Sequence, residues 1–187
     1  GQAWEWARSA VGAGALDYMD AVSLHPYASV MSPETYDMVE KVKSFKKYCE
    51  SKGYTDLKWL TSETGWSSGD LKSDELQAIY EQRWMTLNTY YDLFDVLCKY
   101  TAMDHDISNV REQNFGYFKF WKYNDLNYEG KDNLITLSAF NSIMTNAKPI
   151  DDIQTPEFNA FRFKLEDGRQ AIVSYALNEN VDVALST

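Results

Sequence analysis

The chain has 187 residues, enough for one ordinary domain or for one and part of a second, and 44% of them are apolar, which suffices for a real core. Its 18 basic and 28 acidic residues leave a net charge of -10, and no Lys/Arg cluster stands out that would track a phosphate backbone or an anionic membrane, which excludes nucleic acid as a partner class. No apolar run approaches the roughly 20 residues needed to span a bilayer, so no membrane span is expected.

The first residues, GQAWEWARSA, have neither the basic start nor the apolar centre of a signal peptide, and the missing initiator Met reads as a piece of something longer. Trp4, Ala7 and Val11 fall at helical spacing ahead of Gly12 and Gly14, which predicts the tail of a helix. Asp20-Ala-Val-Ser-Leu-His-Pro-Tyr27 reads as a short strand stopped by Pro26, with His25 and Tyr27 at its C-terminal end. Ser32-Pro33-Glu34 then supplies an N-cap, a proline for the first helical position and an acid for the first turn. Tyr36, Val39, Val42, Phe45 and Cys49 follow on one helical face, and Gly53 ends it.

Leu57-Lys-Trp-Leu-Thr-Ser62 is the next predicted strand, with the carboxylate of Glu63 at its exit and Trp66 just beyond. Ser73, Asp74 and Glu75 open a long helix whose Leu76, Ile79, Tyr80, Arg83, Leu87, Tyr91, Phe94 and Cys98 recur at three and four. A third strand is placed at Tyr100–Ile107, and a polar, aromatic loop over 109–132 leads to a helix carrying Leu134, Leu137, Phe140 and Met144. Strand and helix alternate three times, which predicts an α/β fold with a parallel sheet and helices packed outside it. After Pro149 and Pro156 the pattern changes to alternating strands at 158–165, 170–176 and 181–185, with a turn at Glu166-Asp-Gly168, as in a small antiparallel β-domain. The acidic pair Asp151 and Asp152 reads as a solvated linker ahead of it. Cys49 and Cys98 lack Cys-x-x-Cys spacing and matching histidines, which excludes a structural zinc site on ligand count; no metal or cofactor is implied, and two separate thiols are the simpler expectation.

In parallel sheets, reactive groups gather at the C-terminal strand ends, where loops vary while strands hold geometry. Glu63, His25 and Tyr27 all fall there. A carboxylate so placed, ringed by Tyr27, Trp66 and His25, has the chemistry of a nucleophile for a sugar's anomeric carbon, and the 13 Tyr and 6 Trp suit a surface that stacks on sugar faces. Each has a plainer explanation as well: Glu63 as a cap or the partner of an arginine, His25 and Tyr27 as half-buried polar packing, Trp66 as cover for the rim, and Trp121 with Tyr117, Phe118, Tyr123 and Tyr128 as packing for their own loop.

The stretches DAVSLHPYA, LKWLTSETGWSS and FRFKLEDGRQAIVSY, in that order, resemble the last strands of the (β/α)8-barrel glycoside hydrolases that use two catalytic glutamates, most closely families 39 and 5, followed by a β-sandwich domain. The resemblance runs over about residues 12–187 and implies a partial TIM barrel, about strands six to eight with their helices, over residues 1–150, and strands of a β-sandwich-type accessory domain over 151–187. It assigns the nucleophile to Glu63 and substrate contacts to His25, Tyr27 and Trp66, and it implies an oligosaccharide or polysaccharide substrate and an extracellular or cell-surface setting. The family's acid/base glutamate follows an asparagine on an earlier strand. No Asn-Glu pair stands upstream of Asp20, and Asn178-Glu179 lies in the β-domain, so the acid/base and the N-terminal half of the barrel are expected outside this chain. Asp104 and Asp106, near the exit of the third strand, are the nearest substitutes within it. The alternative from another class is a non-catalytic carbohydrate-binding or assembly module derived from such a barrel.

Overall fold

The computed structural model describes residues 2–105, 110–120 and 128–177. Helix α1 (Gln2–Gly12) turns its Trp4 and Ala7 inward, as their spacing predicts. Strand β1 (Ala21–Ser23) follows, then α2 (Met38–Ser51), β2 (Lys58–Thr61), a single-turn α3 (Ser68–Leu71), α4 (Asp74–Tyr91) and β3 (Val96–Leu97). β1, β2 and β3 form one parallel sheet in sequence order, with Val22 opposite Trp59 and Leu60 opposite Val96.

The faces of this sheet differ. Trp59 and Thr61 point into the protein, where Trp59 meets Phe45 of α2 edge-on at 6.0 Å and Phe45 in turn meets Trp4 at 5.8 Å. On the other face Ser23, Lys58, Ser62, Val96 and Cys98 are exposed. Alternation along a strand produces this division, because successive side chains point to opposite faces.

Two expected elements shift. The Ser32 cap forms, its Oγ accepting from the Thr35 N–H at 3.1 Å, but it closes only one turn, because Asp37 adopts a left-handed conformation (φ 54°) and the helix proper starts at Met38. Helix α4 is correctly opened by Ser73, whose Oγ accepts from the Leu76 N–H at 3.0 Å, yet it ends at Tyr91 and does not run to Cys98. Asp92 is left-handed there (φ 49°), and the chain folds back to bury Leu93 and Phe94 before entering β3. The third strand is therefore Val96–Leu97; residues 100–105 lie beyond it as irregular chain, and 106–107 fall outside the described residues.

Helix α5 (Asp132–Met144) forms where its apolar spacing places it and packs on α4. Strands β4 (Lys148–Gln154), β5 (Phe158–Lys164) and β6 (Gln170–Ala176) make an antiparallel sheet in sequence order, turned between β5 and β6 at Gly168 (φ 86°). Asp151 and Asp152 are strand residues, not a linker: Asp151 pairs with Arg162 across the ladder and Asp152 accepts from the Tyr90 hydroxyl at 2.5 Å. The expected strand at 181–185 lies outside the described residues. Phe161 and Phe163 are fully buried and pack against Tyr90 at 4.8 and 5.9 Å, which seats the sheet on α4.

Buried charges knit the region between α4 and the chain after β3. Lys99 pairs with Glu81, to which Asn133 also donates at 3.2 Å. Lys131, wholly enclosed, meets Asp74 and Asp104 at 3.3 Å and donates to Ser68 at 2.9 Å. Among the described residues, no helix is long and apolar enough to cross a membrane.

Candidate active site

Glu63 lies two residues past the end of β2, and its backbone is clamped from both sides. The Thr61 hydroxyl donates to the Glu63 carbonyl at 2.8 Å, the Thr64 hydroxyl to the Pro26 carbonyl at 3.0 Å, and the Tyr100 N–H to the Thr64 carbonyl at 2.9 Å. Gly65 completes the clamp, since a Cβ there would stand 2.8 Å from the Tyr100 carbonyl oxygen. These contacts fix where the Glu63 backbone presents its side chain.

Two side chains converge on one of its oxygens. The Tyr27 hydroxyl donates to Glu63 Oε2 at 3.2 Å, and His25 Nδ1 stands 3.6 Å from the same atom. His25 Nε2 is 2.8 Å from the Ser62 hydroxyl. The Glu63 and His25 side chains are 43% and 46% exposed, so the carboxylate opens to solvent, and among the described residues neither Lys nor Arg pairs with it. Burial, and then the negative charge of Glu63, push the Tyr27 phenol well above the ordinary tyrosine range, which keeps it a neutral donor. The structure thus brings together three of the four site residues expected from sequence.

Aromatic rings extend the site on one side: Phe115 meets Tyr27 edge-on at 5.8 Å and Tyr100 at 5.5 Å, and Tyr100 meets His105 at 6.1 Å. On the other side a cavity of about 330 Å³ is lined by Trp4, Leu24, His25, Tyr27 and Tyr36.

Trp66 belongs to the core. It is 1% exposed, its indole N–H donates to the Met31 carbonyl at 2.8 Å and its ring abuts Tyr80, so no face is left for a sugar. Asp104 is likewise committed: it is buried, accepts from the Gly116 N–H at 2.7 Å and faces the Lys131 ammonium, which removes it as a proton donor. Asp106, Trp121, Tyr123 and Asn178-Glu179 lie outside the described residues. Sequence reasoning missed Ser23, Ser62, Tyr100 and Phe115. The serines carried a readable signal, since both stand inside the motifs that contain His25 and Glu63.

A carboxylate with one oxygen held by a tyrosine hydroxyl and open to solvent can attack an electrophilic carbon or stabilise a cation. Among the described residues no group of three or more His, Cys, Asp or Glu is placed to hold a metal ion.

No protein-family model matches the chain, and no curated protein does. A solved structure matches: a family 39 glycoside hydrolase from the gut symbiont Bacteroides cellulosilyticus WH2, with a TM-score of 0.77 and 19% identity over 91% of this chain. The chain spans 36% of that protein's length. At that identity the likeness is one of fold, and the resemblance read from the strand-exit motifs is borne out at that level.

Proposed function

We propose, from a fold shared with part of a family 39 glycoside hydrolase, that this chain carries the nucleophile of a retaining glycosidase, and that the nucleophile is Glu63. The observation that supports it is the pairing of Tyr27 and His25 on one carboxylate oxygen at the mouth of a parallel sheet, with no cation among the described residues to neutralise it. Glu63 attacks the anomeric carbon and forms a glycosyl ester as the leaving oxygen departs with a proton; water then cleaves the ester and regenerates the carboxylate. Tyr27 and His25 converge on Oε2, which leaves Oε1 for the sugar. The proton comes from a second carboxyl about 5 Å from the first in retaining enzymes. Among the described residues no second carboxyl pairs with Glu63, and we assign the acid/base to barrel strands that this sequence does not span. In this reading residues 1–150 are barrel and 151–187 belong to an accessory β-domain, the substrate is an oligosaccharide or polysaccharide, and the protein works at or outside the cell surface.

The test is made on a protein that carries this chain together with the rest of its barrel. A 2-deoxy-2-fluoroglycoside inactivator should leave its sugar on Glu63, located by peptide mass mapping, and Glu63→Gln should lower turnover by at least about 10³-fold while glycan binding persists. Labelling elsewhere, or undiminished turnover, overturns the assignment. Glycan binding without turnover by the unaltered protein would instead favour the non-catalytic module.

A further inference from the structure

Behind the carboxylate lies a short chain of hydroxyl groups. Ser23 Oγ accepts from the Ser62 backbone N–H at 3.2 Å, the two serine oxygens stand 2.9 Å apart, and Ser62 Oγ stands 2.8 Å from His25 Nε2. The opposite nitrogen of the ring, Nδ1, faces Glu63 Oε2. We infer that the Ser23–Ser62 hydroxyl pair sets the tautomer of His25, fixing the ring proton on Nδ1 so that a neutral imidazole, not an imidazolium, faces Glu63.

Either serine can donate to the other and either ring nitrogen can carry the proton, so the carboxylate end selects the direction. At one end, the Ser62 N–H can only donate, so Ser23 Oγ accepts there and its own proton is free to point at Ser62 Oγ. Ser62 then directs its proton at Nε2. At the other end Nδ1 stands 3.6 Å from Glu63 Oε2, where a hydrogen on the nitrogen is attracted and a lone pair repelled, which favours the proton on Nδ1. With Nε2 accepting and Nδ1 protonated, the ring is neutral and each proton in the chain has an acceptor facing it.

Among the described residues no Lys or Arg pairs with Glu63, and the Glu112 carboxylate acts on the Tyr27 phenol next to the ring. The cavity beside His25 is lined by Ala3, Trp4, Ala7 and Tyr36. An imidazolium would pair with Glu63 and blunt its nucleophilicity, because an opposite charge at this distance stabilises the ground-state anion. A neutral donor orients the oxygen and leaves its charge available. Ser62 and Ser23 are thus positioning residues, and this role rests on the reading of Glu63 as nucleophile; the tautomer itself does not.

The chain has two histidines, so ring nitrogen NMR of the 187-residue protein resolves His25 by comparison with His25→Gln. Above its titration midpoint, His25 should show a protonated Nδ1 and an accepting Nε2. Ser62→Ala should move the proton toward Nε2 and raise the proton affinity of the ring about fivefold, the size of one lost hydrogen bond, whereas Ser62→Thr, which keeps the hydroxyl, should restore both values. Ser23→Ala, at an exposed position, should produce the same change in smaller measure and serves if Ser62→Ala does not fold. A proton on Nε2 in the unaltered protein, or a midpoint that stays or falls in the alanine variants, overturns the inference. An inactivator label missing from Glu63 with the tautomer confirmed would instead defeat only the glycosidase reading.

Discussion

At Gly65 the backbone passes so close to the Tyr100 carbonyl that no side chain fits, and this contact anchors the turn that carries Glu63. Gly65→Ala should therefore cost roughly 2–3 kcal/mol in urea unfolding and should loosen the Tyr27 contact to Glu63. That Glu63, His25 and Tyr27 gather at the strand exits was legible in the sequence, because each is a polar residue that follows an apolar strand within two residues of a proline or glycine. Trp66 was not. Its burial depends on the Met31 carbonyl and the Tyr80 ring, which arrive from other elements and leave no mark beside it in the chain. The same holds for Asp104, whose commitment is set by Lys131.

Among the elements, those with a chemical punctuation mark were read well. Ser73 caps α4 as its position implies, and Ser73→Ala should lower stability by about 1 kcal/mol without altering the site, a difference that thermal or urea unfolding resolves. β3 was misplaced for two reasons. Phe94 and Cys98 happen to continue the helical spacing of α4 past its real end at Tyr91, and a strand of two residues is too short to show alternation. The start of α2 and the end of α4 are decided by left-handed Asp37 and Asp92, a conformation that aspartate tolerates but does not announce. The buried ion pairs escape sequence reasoning altogether, because lysine reads as a surface residue. They are the sharpest stability test: Lys131→Met leaves Asp104 buried without its ammonium and should cost about 3–5 kcal/mol in denaturant titration.

Across the whole molecule, the parallel and antiparallel sheets share one apolar core through α4, whose Tyr90 and Tyr91 pack on Phe161. Phe161→Ala should lower stability by roughly 3–5 kcal/mol and should split the unfolding transition if the β-strands then melt first. Tyr90 adds a pH signature. Burial, then its hydrogen bond to Asp152, push its phenol up to about 12 from an ordinary value of 10.0. A group raised in this way stabilises the fold below its unfolded value and loses that contribution as pH rises through its folded one, so stability should fall between about pH 10 and 12, and Tyr90→Phe should flatten the decline. The bared face of the parallel sheet has a practical consequence of its own. Cys98 stands exposed at the exit of β3, while Cys49 is enclosed, its thiol pushed up by burial. A maleimide should therefore tag Cys98 within moments and Cys49 only on denaturation. Repeated on a longer form of the protein, the same alkylation rate becomes a gauge of how much additional polypeptide lies across that surface.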